Sequence, residues 1–71
     1  MNVIIYGKKQ CPFCDKAKMV CEQRGFDYEM DKDFTLEFIQ LKFPSAKTFP
    51  QIIVDGTHVG GYTDMMELLD G

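Results

Sequence analysis

No stretch of this sequence approaches the roughly 18 apolar residues that a membrane-spanning helix needs. Met1 to Gly7 also lacks the basic start, long apolar stretch and small-residue cleavage site of a secretory signal. No membrane association is expected, and the expected compartment is cytoplasmic. Length is scarce as well: 71 residues make room for a single domain, which at this size buries only about 60% of the surface its unfolded chain exposes. Basic side chains are outnumbered, eight against eleven acids, so the broad positive footprint of a nucleic-acid binder is missing. Cysteines number three, and an odd count is wrong for a secreted scaffold closed by pairs of disulfides. There is no repeat, linker or low-complexity tract, and the ordinary balance of 45% apolar and 27% charged residues disfavours disorder.

The charge that is present is unevenly spread. Residues 1–24 carry five basic side chains (Lys8, Lys9, Lys16, Lys18, Arg24) against two acids (Asp15, Glu22), whereas the rest of the chain is acidic. Within that basic stretch lie two cysteines, Cys11 and Cys14, spaced C-x-x-C.

The pattern around them is that of an α/β domain. Val3 to Tyr6 is a short β-branched and aromatic run that reads as a strand buried on both faces. From Pro12, the apolar positions Phe13, Ala17, Val20 and Cys21 recur at helical spacing, and Gly25 supplies a stop. Phe26, Tyr28 and Met30 then alternate with acids, as a half-buried strand does. Strand, helix, strand is a βαβ unit whose strands should run parallel. Asp33 is a candidate N-cap for a second helix through Phe34, Phe38 and Leu41, which Pro44 would end. Ile52 to Val54 and Thr57 to Val59 flank Asp55-Gly56, a strong hairpin signal. Asp64, with Glu67 three residues on, resembles a capping box that opens a last helix through Met65, Leu68 and Leu69. The expected order is β-α-β-α-β-β-α.

Cysteine chemistry depends on the thiolate, whose pKa falls from about 8.5 to between roughly 3.5 and 7.5 at a helix N-terminus or beside cations. Cys11 has both features: Pro12 suits the first helical position, so the free amides of the first turn point at the sulfur, and Lys8 and Lys9 lie just upstream. Cys14, one turn later, starts facing the apolar side and should be the less exposed. That makes Cys11 the attacking and Cys14 the resolving thiol. A half zinc site has the same spacing, yet it lacks a second pair, since only Cys21 and His58 remain. Seven residues of helix place Cys21 about 10 Å from Cys14, beyond the roughly 7 Å limit for a disulfide. Cys21 reads as a small core residue and His58 as a surface residue, and no metal is expected.

C-P-F-C after a first strand, Thr48-Phe49-Pro50 before a third, and Gly60-Gly61-Tyr62-Thr63-Asp64 before the last helix together resemble the glutaredoxin family. The match spans nearly the whole chain, and the three motifs in this order and spacing are jointly specific. The resemblance implies a thioredoxin-like fold with a four-stranded mixed sheet and a glutathione-dependent thiol-disulfide oxidoreductase, with glutathione as co-substrate. Disulfide or glutathionylated proteins, ribonucleotide reductase among them, would be the partners of a monomer. Carried across, Cys11 matches the nucleophile and Cys14 the resolving cysteine, with Pro12 and Phe13 between them. Lys8 matches a lysine that contacts the glycine carboxylate of glutathione, and Lys47 stands where a second basic contact is often found. Pro50 matches the cis-proline. Phe49, where the family usually has valine, holds the position whose backbone pairs with glutathione like an added strand. Thr63 and Asp64 match the pair that holds the γ-glutamyl end.

Two readings from other classes stand beside this one. A thioredoxin-like electron donor recharged by a flavoprotein reductase would share the fold without needing Lys8, Thr63 and Asp64. An iron-sulfur carrier would hold a 2Fe–2S cluster between two chains and two glutathiones, a role that Pro12 disfavours by stiffening the motif.

Overall fold

The structure, a computed structural model, describes residues 1–44, 46 and 48–70, with Leu36 described by its backbone alone. The elements follow the expected order: β1 (Asn2–Tyr6), α1 (Pro12–Arg24), β2 (Asp27–Asp31), α2 (Leu36–Lys42), β3 (Gln51–Val54), β4 (Thr57–Gly60) and α3 (Tyr62–Asp70). The strands form one mixed sheet in the order β2-β1-β3-β4. β1 and β2 are parallel, as a strand-helix-strand crossover requires, and β3 runs antiparallel to both β1 and β4. None of these helices is long and apolar enough to cross a membrane.

Side-chain alternation along β1 and β3 divides the molecule into two layers. Val3, Ile5, Ile52 and Val54 face α1 and α3, where Ala17, Cys21 and Met65 complete a fully buried aliphatic core. Phe26, Tyr28 and Met30 pack against its margin, as their alternation predicts. Ile4, Tyr6 and Ile53 face the other way, toward Ile39 and Phe43 of the α2 region, with Phe34 and Phe49 beside them. Among the described residues, α1 and α3 both approach the strands to within 8 Å between Cα atoms, whereas no Cα of α2 does. Aromatic rings fill the wider gap: Phe34, Phe38 and Phe43 each lie between 5.6 and 5.9 Å from the Tyr6 ring, centre to centre.

Local signals account for the ends of the elements. Gly25 stops α1 in the left-handed conformation, φ 71°, and its N–H donates to the carbonyls of Cys21 and Glu22. The Asp55-Gly56 turn has positive φ at both residues, 49° and 85°, as a two-residue hairpin requires. The Asp55 carboxylate accepts from the Asn2 N–H at 2.8 Å, and the Asp55 N–H donates to the Asn2 carbonyl at 2.8 Å, so the turn is latched to the start of β1.

Two caps differ from the sequence expectation. Thr35 rather than Asp33 caps α2, its hydroxyl accepting from the Phe38 N–H at 3.1 Å, because Asp33 is held upstream by its own N–H bonding the Asp31 carboxylate at 2.9 Å. Asp64 is not an N-cap. It lies in the first turn of α3 and its carboxylate reaches back to the Gly61 N–H at 2.9 Å, the third-position half of a capping box.

Candidate active site

The Cys11-Cys14 segment begins where β1 runs out. Gly7 extends the parallel ladder by one bond, its N–H donating to the Asp31 carbonyl at 3.0 Å. A short loop follows, and Gln10 takes a left-handed conformation, φ 56°, immediately before Cys11. Cys11 is the N-cap of α1 with extended backbone, and Pro12 occupies the first turn, where a missing N–H costs nothing. The Cys14 N–H donates to Cys11 Sγ at 3.2 Å, so one of the unpaired amides of the helix start is spent on the sulfur. Cys11 is 6% exposed and Cys14 is wholly buried, the order that the helical spacing predicts.

The two cysteines are joined in a disulfide with their Cα atoms 5.2 Å apart. A pair of thiols that closes into a disulfide over one helical turn gives up two electrons and two protons, and the disulfide takes them back when it reopens. Behind it the space is full. A Cβ added at Gly7 would lie 3.0 Å from Cys14 Sγ and 3.1 Å from Cys14 Cβ, so glycine is the residue that lets β1 pass beneath the bridge. Cys21, two turns along, is a free and fully buried thiol. Burial first, and the neighbouring Glu22 second, push its pKa above the ordinary thiol value of 9.0, which makes it an inert core residue.

Beside the disulfide opens a groove of about 580 Å³ whose lining includes Phe13, Phe49, Pro50, Thr63 and Asp64. The Phe49–Pro50 peptide bond is cis, and the Phe49 carbonyl oxygen lies 3.9 Å from Cys11 Sγ. Lys8 reaches the same corner, its ammonium 5.7 Å from the centre of the Phe49 ring. Phe13 is half exposed and links α1 to α3, its ring centre lying 5.0 Å from the Lys16 ammonium and 5.9 Å from the centre of the Tyr62 ring. Gly60 leads into α3 with φ 116°, and a side chain there would run into the Asp64 carboxylate. Of the residues that the motifs single out, Phe13, Phe49, Pro50, Thr63 and Asp64 line the groove, whereas Cys11 and Lys8 meet it at Phe49, and Pro12 and Cys14 belong to the first turn of α1 next to Phe13. Lys47 lies outside the described residues.

Two groove residues that the motifs do not single out are Gln51 and His58. Gln51 is 5% exposed, and its amide bonds both the Thr48 carbonyl and the His58 ring. His58 is exposed at its edge, as a hairpin residue should be, yet its ring stacks on Phe43 with centres 4.1 Å apart. Hairpin arithmetic was the available signal: a two-residue Asp55-Gly56 turn pairs Ile53 with His58, and Gln51 shares the face of Ile53 because strand side chains repeat every second residue. Among the described residues no three His, Cys, Asp or Glu side chains gather as metal ligands would.

The glutaredoxin family profile matches residues 3–59. Glutaredoxin 3 of Escherichia coli K12 is 33% identical over an alignment covering 94% of this chain and 84% of its own. Glutaredoxin 1 of the same strain is 36% identical, covering 90% and 87%. The three-dimensional structure of reduced E. coli glutaredoxin superposes with a TM-score of 0.81 at 34% identity, over 97% of this chain and 93% of that one. A buckwheat glutaredoxin, solved as a complex with glutathione, shares the fold with a TM-score of 0.78 at 22% identity, over 92% of this chain and 64% of its own. Sequence, fold and the Cys11-Cys14 dithiol agree, and this chain belongs to the glutaredoxin family of thiol-disulfide oxidoreductases.

Proposed function

We propose that the protein is a glutathione-dependent reductase of protein disulfides and of glutathione mixed disulfides, with Cys11 as nucleophile and Cys14 as resolving thiol. The observation that carries this reading is the position of Cys11. Its sulfur caps a helix, accepts the Cys14 N–H and lies beside the backbone of Phe49, so the helix start favours negative charge on that sulfur. The reduced Cys11 thiolate attacks one sulfur of the substrate disulfide, whose S–S bond breaks as the Cys11 mixed disulfide forms, and the leaving thiolate takes a proton. Cys14 then attacks Cys11 Sγ, releasing the second substrate thiol and closing the bridge. Two glutathiones return the two electrons: the first opens the bridge and is bound to Cys11, and the second displaces it as glutathione disulfide.

Glutathione brings two carboxylates and one ammonium. In this reading Lys8 and Lys47 hold the glycine carboxylate, the amides at the start of α3 near Thr63 hold the γ-glutamyl carboxylate, and Asp64 holds the ammonium. The peptide groups of Phe49, beside cis-Pro50, pair with the glutathione backbone as an added strand. The glutathione complex of the buckwheat relative supports the ligand class, and the groove beside Cys11 supports its location. Residues 1–71 act as one domain, in the cytoplasm, as a monomer; ribonucleotide reductase is one disulfide substrate to assay.

The test is steady-state reduction of a glutathione mixed disulfide and of a protein disulfide. Cys11→Ser should abolish both. Cys14→Ser should keep the first and lose the second, which alone needs a resolving thiol. Lys8→Ala and Asp64→Ala should raise KM for the mixed disulfide several-fold, less so in high salt, since both side chains are exposed. Recharging by thioredoxin reductase in place of glutathione would overturn the proposal.

A further inference from the structure

The Gln51 side chain makes two hydrogen bonds from one amide. Its Nε2 lies 2.7 Å from the Thr48 carbonyl oxygen and its Oε1 lies 2.8 Å from His58 Nε2. A carbonyl can only accept, so the amide nitrogen faces Thr48 and the amide oxygen is left to accept from the His58 ring N–H. His58 is fixed in turn by its stack on Phe43. The bridge therefore runs from the α2 region through Phe43, His58 and Gln51 to the peptide group that joins Thr48 to Phe49.

That peptide group is where the bridge acquires a function. The Thr48 carbonyl and the Phe49 N–H belong to one peptide plane, and the cis bond of this segment is the next one, Phe49–Pro50. In a planar trans peptide the C=O and N–H point in opposite directions, so a donor that pins the carbonyl also aims the N–H. We propose that Gln51 is a positioning residue for substrate, which fixes the direction of the Phe49 N–H through the Thr48 carbonyl, with His58 fixing Gln51 behind it. The inference rests on the proposed pairing of glutathione with the Phe49 backbone. It assigns to the β3-β4 hairpin a part in binding rather than in the chemistry at Cys11, because neither Gln51 nor His58 bonds the sulfur.

Three variants separate the two bonds. Gln51→Met keeps the length of the side chain and loses both. Gln51→Glu keeps the acceptor toward His58 but has no donor for Thr48. His58→Phe keeps the stack on Phe43, loses only the outer bond and lies at an exposed position where folding is not at risk. With a glutathione mixed disulfide as substrate, KM should rise several-fold in Gln51→Met and by a similar factor in Gln51→Glu, and by a smaller factor in His58→Phe. In each, kcat at saturation and the alkylation rate of Cys11 by iodoacetamide should match the wild type. KM values unchanged in all three variants, or losses confined to kcat, would overturn the inference while leaving the glutathione reading intact. A wild type that reduces small disulfides but shows no saturable use of the glutathione mixed disulfide would overturn both.

Discussion

The two faces of the sheet are built on different principles. On one, α1 and α3 lie close against aliphatic side chains of β1 and β3, and Val3, Ile5, Ala17, Cys21, Ile52 and Met65 have almost no exposure left. On the other, α2 stands farther off and large rings span the gap; Tyr6, Ile39 and Phe43 are buried, but Phe38 remains 42% exposed and Leu41 79%. Close packing of small branched side chains leaves a deletion nowhere to collapse, whereas a partly wetted aromatic layer can readjust. The dithiol belongs to the first face, through Cys14 at the start of α1, and the groove wall at Phe49 belongs to the second. The helix that begins on the cysteines thus lies on the closely packed side of the sheet, and the groove wall at Phe49 on the side filled by rings.

The sharpest way to break this comparison is truncation. Ile5→Ala should cost about 2–5 kcal/mol in urea-induced unfolding, as for other buried isoleucines, a large share of the stability a domain of this size holds. Phe38→Ala should cost less than about 1 kcal/mol because much of its ring is already in water. Equal costs would show that the two layers are packed alike.

Gly7→Ala comes next. The added methyl meets Cys14 Sγ and Cβ at distances that force a shift, and overpacking of this kind costs about 1–3 kcal/mol. Because the obstruction is the bridged cysteine itself, the reduced and oxidised forms should lose stability by different amounts when their unfolding curves are compared.

Alkaline pH probes both faces at once. Tyr6 on the aromatic face has its phenol pushed above the ordinary 10.0, chiefly by burial and then by Asp31 and Glu29, while Cys21 on the aliphatic face is raised from 9.0. Both are acids that the fold keeps neutral, so the stability they contribute is complete below pH 9 and falls as the pH climbs through their raised values. Thermal unfolding followed from pH 8 to pH 11 should show that decline. Tyr6→Phe and Cys21→Ala should each flatten part of it, and a slope unchanged in both would contradict the assignment.

The smallest effect is expected at the surface. Arg24 pairs with Asp70 at 2.8 Å and ties the C-terminal ends of α1 and α3 together, but both side chains are exposed. Arg24→Ala should cost no more than about 1 kcal/mol, with most of that gone in high salt.

Where a local rule operates alone, the sequence was legible. Asp55-Gly56 announces its hairpin, Gly25 its helix end, and Phe26, Tyr28 and Met30 their half-buried strand. The C-P-F-C segment announces a helix that begins on a sulfur because Pro12 can stand nowhere else in a helix so comfortably. Legibility ended where two rules compete for one residue. Asp33 and Thr35 are both acceptable caps, and the choice fell to the one whose backbone was not already held by Asp31. Asp64 satisfies the capping pattern at either of two positions, and the glycines before it decided which. Gln51 and His58 were hidden for another reason: their significance is a tertiary bond across a hairpin to a carbonyl upstream, which no spacing within one element encodes.

The latch between Asn2 and Asp55 gives the molecule a handle. β1 leads from Asn2 toward the cysteines, so the hairpin turn and the start of the chain lie together at the pole of the sheet farthest from the dithiol, about 15 Å away along a five-residue strand. A fluorophore or surface tether attached at Thr57, the exposed first residue after the turn, would spare Gly56 the side chain its positive φ disfavours and leave the groove facing solution. Immobilised that way, the protein would present every copy of its redox pair in the same orientation, the condition an electrode-bound thiol sensor needs.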